Sequence, residues 1–359
     1  MRDLKELRRE IDEIDSRLVP LMEKRLAIVD EVAEAKRVMG KVVTDPKRER
    51  EILTSISERV DSSFARAINL VYSTLFGVSK ARQRLRLGQV SEFRHEIAVV
   101  GLGLIGGSFY KSSICAGCKV TGVHHRDAAG FENADIIIVC LPPEAIVPWI
   151  REHAPRFRKG AVVVDICGVK RKVMREMSEV RRDGWHFVGG HPMAGREVSG
   201  YENSTDDLFV GASMILTPLE GTPDSAIALL KAYFALVGFS ETVVTTCERH
   251  DDMIAFTSQL CHVIATTYAR DARVKDVIGF SAGSFANMTR IATQDAAVWR
   301  TLYSENRDRL VETMDGFQRR FAELRDAIAV GDSAAIERMI VEGSEAKREE
   351  LLARNRGDE

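Results

Sequence analysis

The chain has 359 residues, 45% of them apolar and 29% charged, with a net charge of −2. The length exceeds one domain, the composition excludes general disorder, and no apolar run approaches the ~20 residues that a membrane span needs. Near-neutral charge argues against a general nucleic-acid or membrane binder, although residues 1–95 carry 20 Lys/Arg against 16 Asp/Glu, a balance suited to a small anionic ligand.

Residues 3–87 read as three helices. Leu4, Leu7, Ile11, Ile14, Leu18, Met22, Val29 and Val32 recur at helical spacing and predict one helix from Asp3 to Met39, with Pro20 as a candidate kink. Asp45-Pro46 opens a second helix as N-cap and first-turn proline, and Ser62 or Ser63 opens a third that runs to about Leu87. The first helix would be roughly 55 Å long at ~1.5 Å per residue. Two shorter partners cannot cover that length, so the stripe predicts a second copy of the chain alongside it, a homodimer.

Arg25 and Lys36 fall on this apolar stripe, and Ser79 and Gln83 fall on the stripe that Ile68, Tyr72 and Leu75 make on the third helix. An isolated buried charge costs about several kcal/mol unless it is paired. Taken singly, each cation fits a snorkelling or paired side chain. Together, two cations and two hydrogen-bonding groups inside a bundle point to an anion pocket. Arg8 lies ~100° around the helix from Arg25 and joins such a pocket more easily from a partner chain.

From Glu96 the period changes. Short apolar runs at Ile97–Val100, Val120–His124, Ile136–Leu141, Val162–Ile166, Phe187–Val188, Met214–Leu216 and Thr242–Thr245 alternate with helices, the pattern of a mostly parallel sheet. Residues 248–348 are helical again. The expected architecture is an all-α domain over 1–90, an α/β Rossmann-like dinucleotide-binding domain over 96–245, and an all-α substrate and dimerisation domain over 246–350.

Gly101-Leu-Gly103-Leu-Ile105-Gly106 is a G-x-G-x-x-G turn directly after an apolar strand and before a helix. Gly101 makes the tight turn, Gly103 lets backbone approach a pyrophosphate, and Gly106 lets helix and strand pack closely, with Ile105 at the opening of the helix. A nicotinamide dinucleotide is the implied cofactor. An acidic residue for the adenosine ribose is expected about 20 residues on, but the second strand ends His124-His125-Arg126, with no carboxylate before Asp127. Arg126 stands where a 2′-phosphate would be met, so both NAD and NADP are open. The stretch from His124 to Ile136 is too short for a full helix and third strand, so the nucleotide domain is abbreviated.

His191 follows the fifth strand in Gly189-Gly190-His191-Pro192-Met193-Ala194-Gly195, where α/β clefts bind ligands. His250-Asp251, Gln259, His262, Arg290 and Trp299 come later. Six cysteines have no framework spacing, and Cys115-Ala-Gly-Cys118 lacks a second pair, so reduced thiols and no metal are expected. The N-terminus holds no apolar signal segment, and the expected location is the cytoplasm.

Residues 1–87 resemble the all-helical chorismate mutase family at Arg8, Arg25, Lys36, Asp45-x-x-Arg48-Glu49 and Ser79-x-x-x-Gln83. The resemblance implies rearrangement of chorismate to prephenate. In that reading Lys36 and Gln83 stabilise the breaking ether oxygen and Glu49 takes the ring hydroxyl. Arg8 from the partner chain, Arg25 and Arg48 bind carboxylates, with Asp45 and Ser79 also in the substrate site. Residues 96 to about 350 resemble prephenate dehydrogenase in Gly-Gly-His-Pro-Met-Ala-Gly and in His250-Asp251-x₇-Gln259-x₂-His262. The fused order resembles the bifunctional enzymes of tyrosine biosynthesis. It implies that His191 accepts a hydrogen bond from the 4-hydroxyl as hydride leaves, that Arg290 binds a carboxylate, and that His262 and Gln259 line the cleft. Relatives often carry a serine before a Val-Lys pair that follows a strand of the sheet, where it supports the histidine and nicotinamide. Here Gly168 precedes Val169-Lys170, leaving water or Cys167 to support the histidine. Two other readings compete. One is a 6-phosphogluconate-like hydroxy-acid dehydrogenase with a catalytic lysine, which leaves the anion pocket unexplained. The other is a monofunctional prephenate or arogenate dehydrogenase whose N-terminal helices only dimerise.

Overall fold

The computed structural model describes residues 2–39, 45–86, 93–124, 129–180, 182, 184–196 and 198–356. Three helices lead: α1 (Leu4–Val38), α2 (Pro46–Arg59) and α3 (Ser62–Arg86). α1 runs through Pro20 as one helix. Asp45 caps α2, its Oδ1 accepting from the Arg48 N–H at 3.0 Å. α1 packs on α3 around buried Val29 and Ala33, and Arg82 of α3 pairs with Asp30 of α1 at 2.6 Å.

Beside this contact α1 carries an apolar stripe that is largely open. Leu4, Ile11, Ile14, Leu18, Leu21, Ile28 and Val32 are all exposed. With Leu7 and Arg25 they fill the a and d positions of an unbroken heptad from Leu4 to Val32. That period makes a seam for a second helix.

Next comes a seven-stranded sheet: β1 (Glu96–Val100), β2 (Lys119–Val123), β3 (Ile136–Val139), β4 (Val162–Asp165), β5 (His186–Pro192), β6 (Ser213–Pro218) and β7 (Glu241–Val244), in the order β2-β1-β3-β4-β5-β6-β7. Its neighbours are parallel except β5 and β6. Ile97–Val100, Ile136–Val139 and Val162–Asp165 are buried throughout, as inner strands covered on both faces must be. On one face α5 (Pro143–His153) and α6 (Arg171–Ser178) supply Ile146, Trp149, Val173 and Met177. On the other, α4 (Leu104–Cys115) and α7 (Asp224–Leu236) supply Phe109, Leu230, Tyr233 and Phe234. Among the described residues between β2 and β3 there is no helix, and β3 lies directly beside β1.

The rest is helical. α8 (Cys247–Ile254) continues through one π turn, Ala255–Gln259, into α9 (Leu260–Ala269). α10 (Gly283–Thr289), α11 (Ala296–Glu305), α12 (Arg307–Val330) and α13 (Ser333–Arg356) complete it. Among the described residues no helix is long and apolar enough to cross a membrane.

Candidate active sites

The first site lies between α1 and α3. Arg25 Nη1 donates to Ser79 Oγ at 2.9 Å, and the serine hydroxyl in turn donates to the Leu75 carbonyl at 2.6 Å. One turn beyond Ser79, Gln83 is buried and its Oε1 has no partner among the described residues. A buried amide end without a partner is costly in an empty bundle and natural in a ligand pocket. The structure thus brings Arg25, Ser79 and Gln83 together. Lys36 and Glu49 are half-buried, on α1 and α2. Asp45 spends one carboxylate oxygen on its cap, and Arg48 Nη1 donates to Glu51 at 3.1 Å on the exposed side of α2. Arg8 is exposed at an e position of the heptad, flanking the open seam, which is where a side chain reaches across to a partner helix.

The second site gathers at the carboxyl ends of β1, β4 and β5. Gly101 has φ +86°, a conformation side chains rarely adopt, and its N–H donates to Val123 O at 2.9 Å. A Cβ on Gly106 would lie 1.9 Å from the Gly101 carbonyl oxygen, so helix and turn meet with room only for hydrogen. A Cβ on Gly103 would meet nothing within 4 Å, and no side chain caps α4 there. The turn therefore presents open backbone N–H groups at a helix N-terminus, which fits a dinucleotide pyrophosphate. Ile105 is half-buried in the first turn of α4, and His124 lies just past the end of β2. His125, Arg126 and Asp127 lie outside the described residues.

β4 ends in a buried ion pair. Asp165 and Lys170 are both fully buried and bonded to each other, and Asp165 also accepts from the backbone N–H groups of Cys167 at 2.8 Å and Gly190 at 3.2 Å. This pins the Cys167–Lys170 loop against β5 beneath His191. Cys167 in that loop is buried, and desolvation pushes its thiol up to about 12.

His191 is supported from the other side. Its Nδ1 lies 2.9 Å from Nε2 of His250, and His250 Nδ1 lies 2.7 Å from Oδ1 of Asp251. Asp251 also accepts the backbone N–H groups of Lys170 at 2.7 Å and Arg171 at 2.9 Å, capping α6 from α8. Burial alone would raise the Asp251 pKa, but donation from His250, Arg171 and Lys170 outweighs it and holds the carboxyl below 3.8. Burial, the second imidazole and Lys170 push His191 well below 6.5, so its ring is neutral at physiological pH. His250 supplies a support that the sequence reading did not name. The adjacent His-Asp pair was the signal in the sequence, but its partner is 59 residues away.

The π turn sets the direction in which His262 faces. Twelve residues of unbroken α-helix would set His250 and His262 ~120° apart, and the wider turn closes that angle. His262 Nδ1 lies 3.1 Å from the Ile291 carbonyl, and its ring lies against Trp299 with centroids 3.8 Å apart. Arg290 is exposed at the start of the same turn as Ile291. Gln259 does not open onto the cleft with a free amide. It is buried, donates to Leu302 O at 3.1 Å and accepts from Asn306 Nδ2 at 2.8 Å, bracing the π turn against α11 and α12.

Three family models match the chain in order: chorismate mutase type II over residues 7–84, the nucleotide-binding domain of prephenate dehydrogenase over 104–242, and the dimerization domain of prephenate dehydrogenase over 246–342. The chain is 30% identical to a cyclohexadienyl dehydrogenase of Zymomonas mobilis over 269 residues, 67% of this chain and 90% of that protein. It is 21% identical to the T-protein of Enterobacter agglomerans over 351 residues, 93% of this chain and 90% of that one. A solved structure of prephenate dehydrogenase from Aquifex aeolicus, in complex with hydroxyphenyl propionate and NAD+, superposes with a TM-score of 0.60 at 26% identity, covering 72% of this chain and 98% of that one. The chain belongs to the prephenate dehydrogenase family, with a type II chorismate mutase domain fused ahead of its nucleotide-binding and dimerization domains.

Proposed function

We propose that the chain runs two consecutive steps of tyrosine biosynthesis at two separate sites, over domains spanning 1–90, 96–245 and 246–350. In the helical domain chorismate rearranges to prephenate. The reaction is unimolecular, so the site must hold a compact conformer and stabilise charge on the breaking ether oxygen. Arg25, Arg48 and Arg8 of a second copy bind carboxylates, Lys36 and Gln83 face the ether oxygen, and Glu49 takes the hydroxyl, with Asp45 and Ser79 holding the pocket's shape. The open heptad seam on α1 supports the homodimer that this arrangement needs.

At the sheet edge prephenate is oxidised and decarboxylated to 4-hydroxyphenylpyruvate. A bound nicotinamide dinucleotide supplies the hydride acceptor. Gly101, Gly103, Ile105 and Gly106 hold its pyrophosphate end, with His124 and Arg126 toward the adenosine ribose, where NADP is accepted as well as NAD. His191 takes the proton of the 4-hydroxyl. Arg290 binds a substrate carboxylate by its planar fork, and His262 lines the cleft. Gln259 positions His262 by bracing the helix that carries it. The reading places the enzyme in the cytoplasm, where its six unpaired cysteines stay reduced.

The observation that carries this reading is a neutral, supported imidazole at the same sheet edge as the glycine-rich turn. The test is to supply prephenate and cofactor to the purified chain and follow reduced nicotinamide together with released carbon dioxide. Equal amounts of the two are expected. Nicotinamide reduction without carbon dioxide would replace the reading with a plain hydroxy-acid dehydrogenase.

A further inference from the structure

We infer that Asp251, acting through His250, fixes His191 with its proton on Nδ1, so that Nε2 alone is the atom that takes the substrate's hydroxyl proton. This rests on the reading of His191 as the base and adds which nitrogen acts and what sets it.

The argument is one of donors and acceptors. An ionised carboxylate only accepts. Asp251 faces His250 Nδ1 at 2.7 Å, so that nitrogen carries a hydrogen. A neutral His250 then has a bare Nε2, which faces His191 Nδ1 at 2.9 Å and requires a hydrogen there. The opposite tautomer of His191 would set two lone pairs against each other at that distance. Turning His250 over to relieve this would set a bare nitrogen against the carboxylate. Each alternative leaves a buried polar group unpaired.

Nε2 of His191 points the other way, toward Gly168. A Cβ built on Gly168 would lie 3.7 Å from it, so the glycine leaves the approach to this nitrogen clear. The charged groups packed around the relay are paired. Lys170 is bonded to Asp165, and Arg171 reaches from α6 to Asp251 at 3.3 Å and to Asp308 at 2.7 Å. Asn306 Nδ2 donates to the Asp251 carbonyl at 2.8 Å, tying the acidic end of the relay to the start of α12.

In the reaction the substrate O–H bond breaks and its proton bonds to Nε2. The electron pair left on oxygen forms the carbonyl as the same carbon gives up hydride, for which a bound nicotinamide dinucleotide would supply the acceptor. His191 becomes a cation next to a neutral ring whose far side is held by a carboxylate, so the new charge forms where a negative group already waits. His250 and Asp251 touch no substrate atom and are positioning residues.

The test uses the full chain with ¹⁵N-labelled histidine. In the wild type the His191 shifts should report a protonated Nδ1 and a bare Nε2. Asp251→Asn keeps one accepting oxygen and turns the other into a donor: with the NH2 toward His250 both rings reverse and the His191 proton moves to Nε2, and the ¹⁵N shifts of the variant report which way the amide lies. The reversed variant should lower kcat by about 100-fold or more, as reversal of a buried catalytic imidazole does elsewhere, with KM for prephenate within about threefold of wild type. His250→Phe should lose kcat similarly, and His250→Gln, whose Oε1 still accepts from Nδ1, should recover most of it. Chorismate rearrangement and cofactor binding by the same variants report that the chain is folded. A wild-type His191 protonated on Nε2 overturns the inference. So does full turnover in His250→Phe while His191→Asn is inactive. Full turnover in His191→Asn instead removes the reading of His191 as base, whatever the tautomer.

Discussion

Gly168 lies against the working face of His191: a side chain there would start 3.7 Å from Nε2 and 3.3 Å from Cδ2 of Leu302. With His250 already holding the other nitrogen, the glycine is a gap and not a missing support. A hydroxyl introduced by Gly168→Ser would donate to Nε2 and compete with the substrate for its lone pair. A net hydrogen bond of about 1 kcal/mol predicts a fall in kcat of roughly fivefold. Steady-state kinetics on prephenate decide it, and a rise in kcat would mean that His191 lacks support that serine supplies.

The two activities should separate by mutation. Arg25→Ala or Gln83→Ala removes a hydrogen-bonding group from the α1–α3 pocket and should raise the barrier to chorismate rearrangement by about 2–4 kcal/mol. Oxidation of added prephenate should stay near wild type. Equal loss of both activities in a folded variant would point to one shared site.

His191 and Arg290 should differ in kinetic signature. His191→Asn should depress kcat strongly with little change in prephenate binding, because its hydrogen bond strengthens in the transition state. Arg290→Gln should mainly raise KM. In the proposed role the neutral ring of His191 is the active form, and burial holds its pKa well below 6.5. Turnover should therefore persist as the pH falls through 6.5 and decline only below it. An acid limb centred at 6.5 or above would contradict the buried, relay-held base.

In the proposed reading cofactor choice falls to the residues after β2. His124-His125-Arg126 offers no carboxylate to repel a 2′-phosphate, and Arg126 would pair with one at about 1.5–3 kcal/mol. Measurable turnover with NADP is expected, with a shift toward NAD in Arg126→Ala. The measurement is kcat/KM for both cofactors at saturating prephenate. A preference for NAD above roughly a hundredfold, about 2.7 kcal/mol, would give the ribose to another group.

Much of this architecture was legible because it is written in local periods. The strands of the inner sheet are unbroken runs such as Ile136-Ile-Ile-Val139, and the glycine turn comes directly after one of them. Arg25 and Gln83 stood out because polar groups on an apolar stripe need a reason. The relay did not stand out. His250-Asp251 reads as an ordinary polar pair on a helix. Only the packing of α8 beneath the Cys167–Lys170 loop turns it toward His191 and makes Asp251 the cap of α6. The contacts of Gln259 were not legible either: the resemblance put it in the cleft with His262, and the π turn in which it sits brings its amide to Leu302 and Asn306.

The central claim is that one chain carries both reactions. The most direct measurement supplies chorismate as the only substrate, with cofactor, and follows 4-hydroxyphenylpyruvate. Wild type should produce it, and Arg25→Ala should do so only when prephenate is added. If prephenate is oxidised while chorismate stays untouched by the wild-type chain, the helical domain is no mutase and the account of two sites fails.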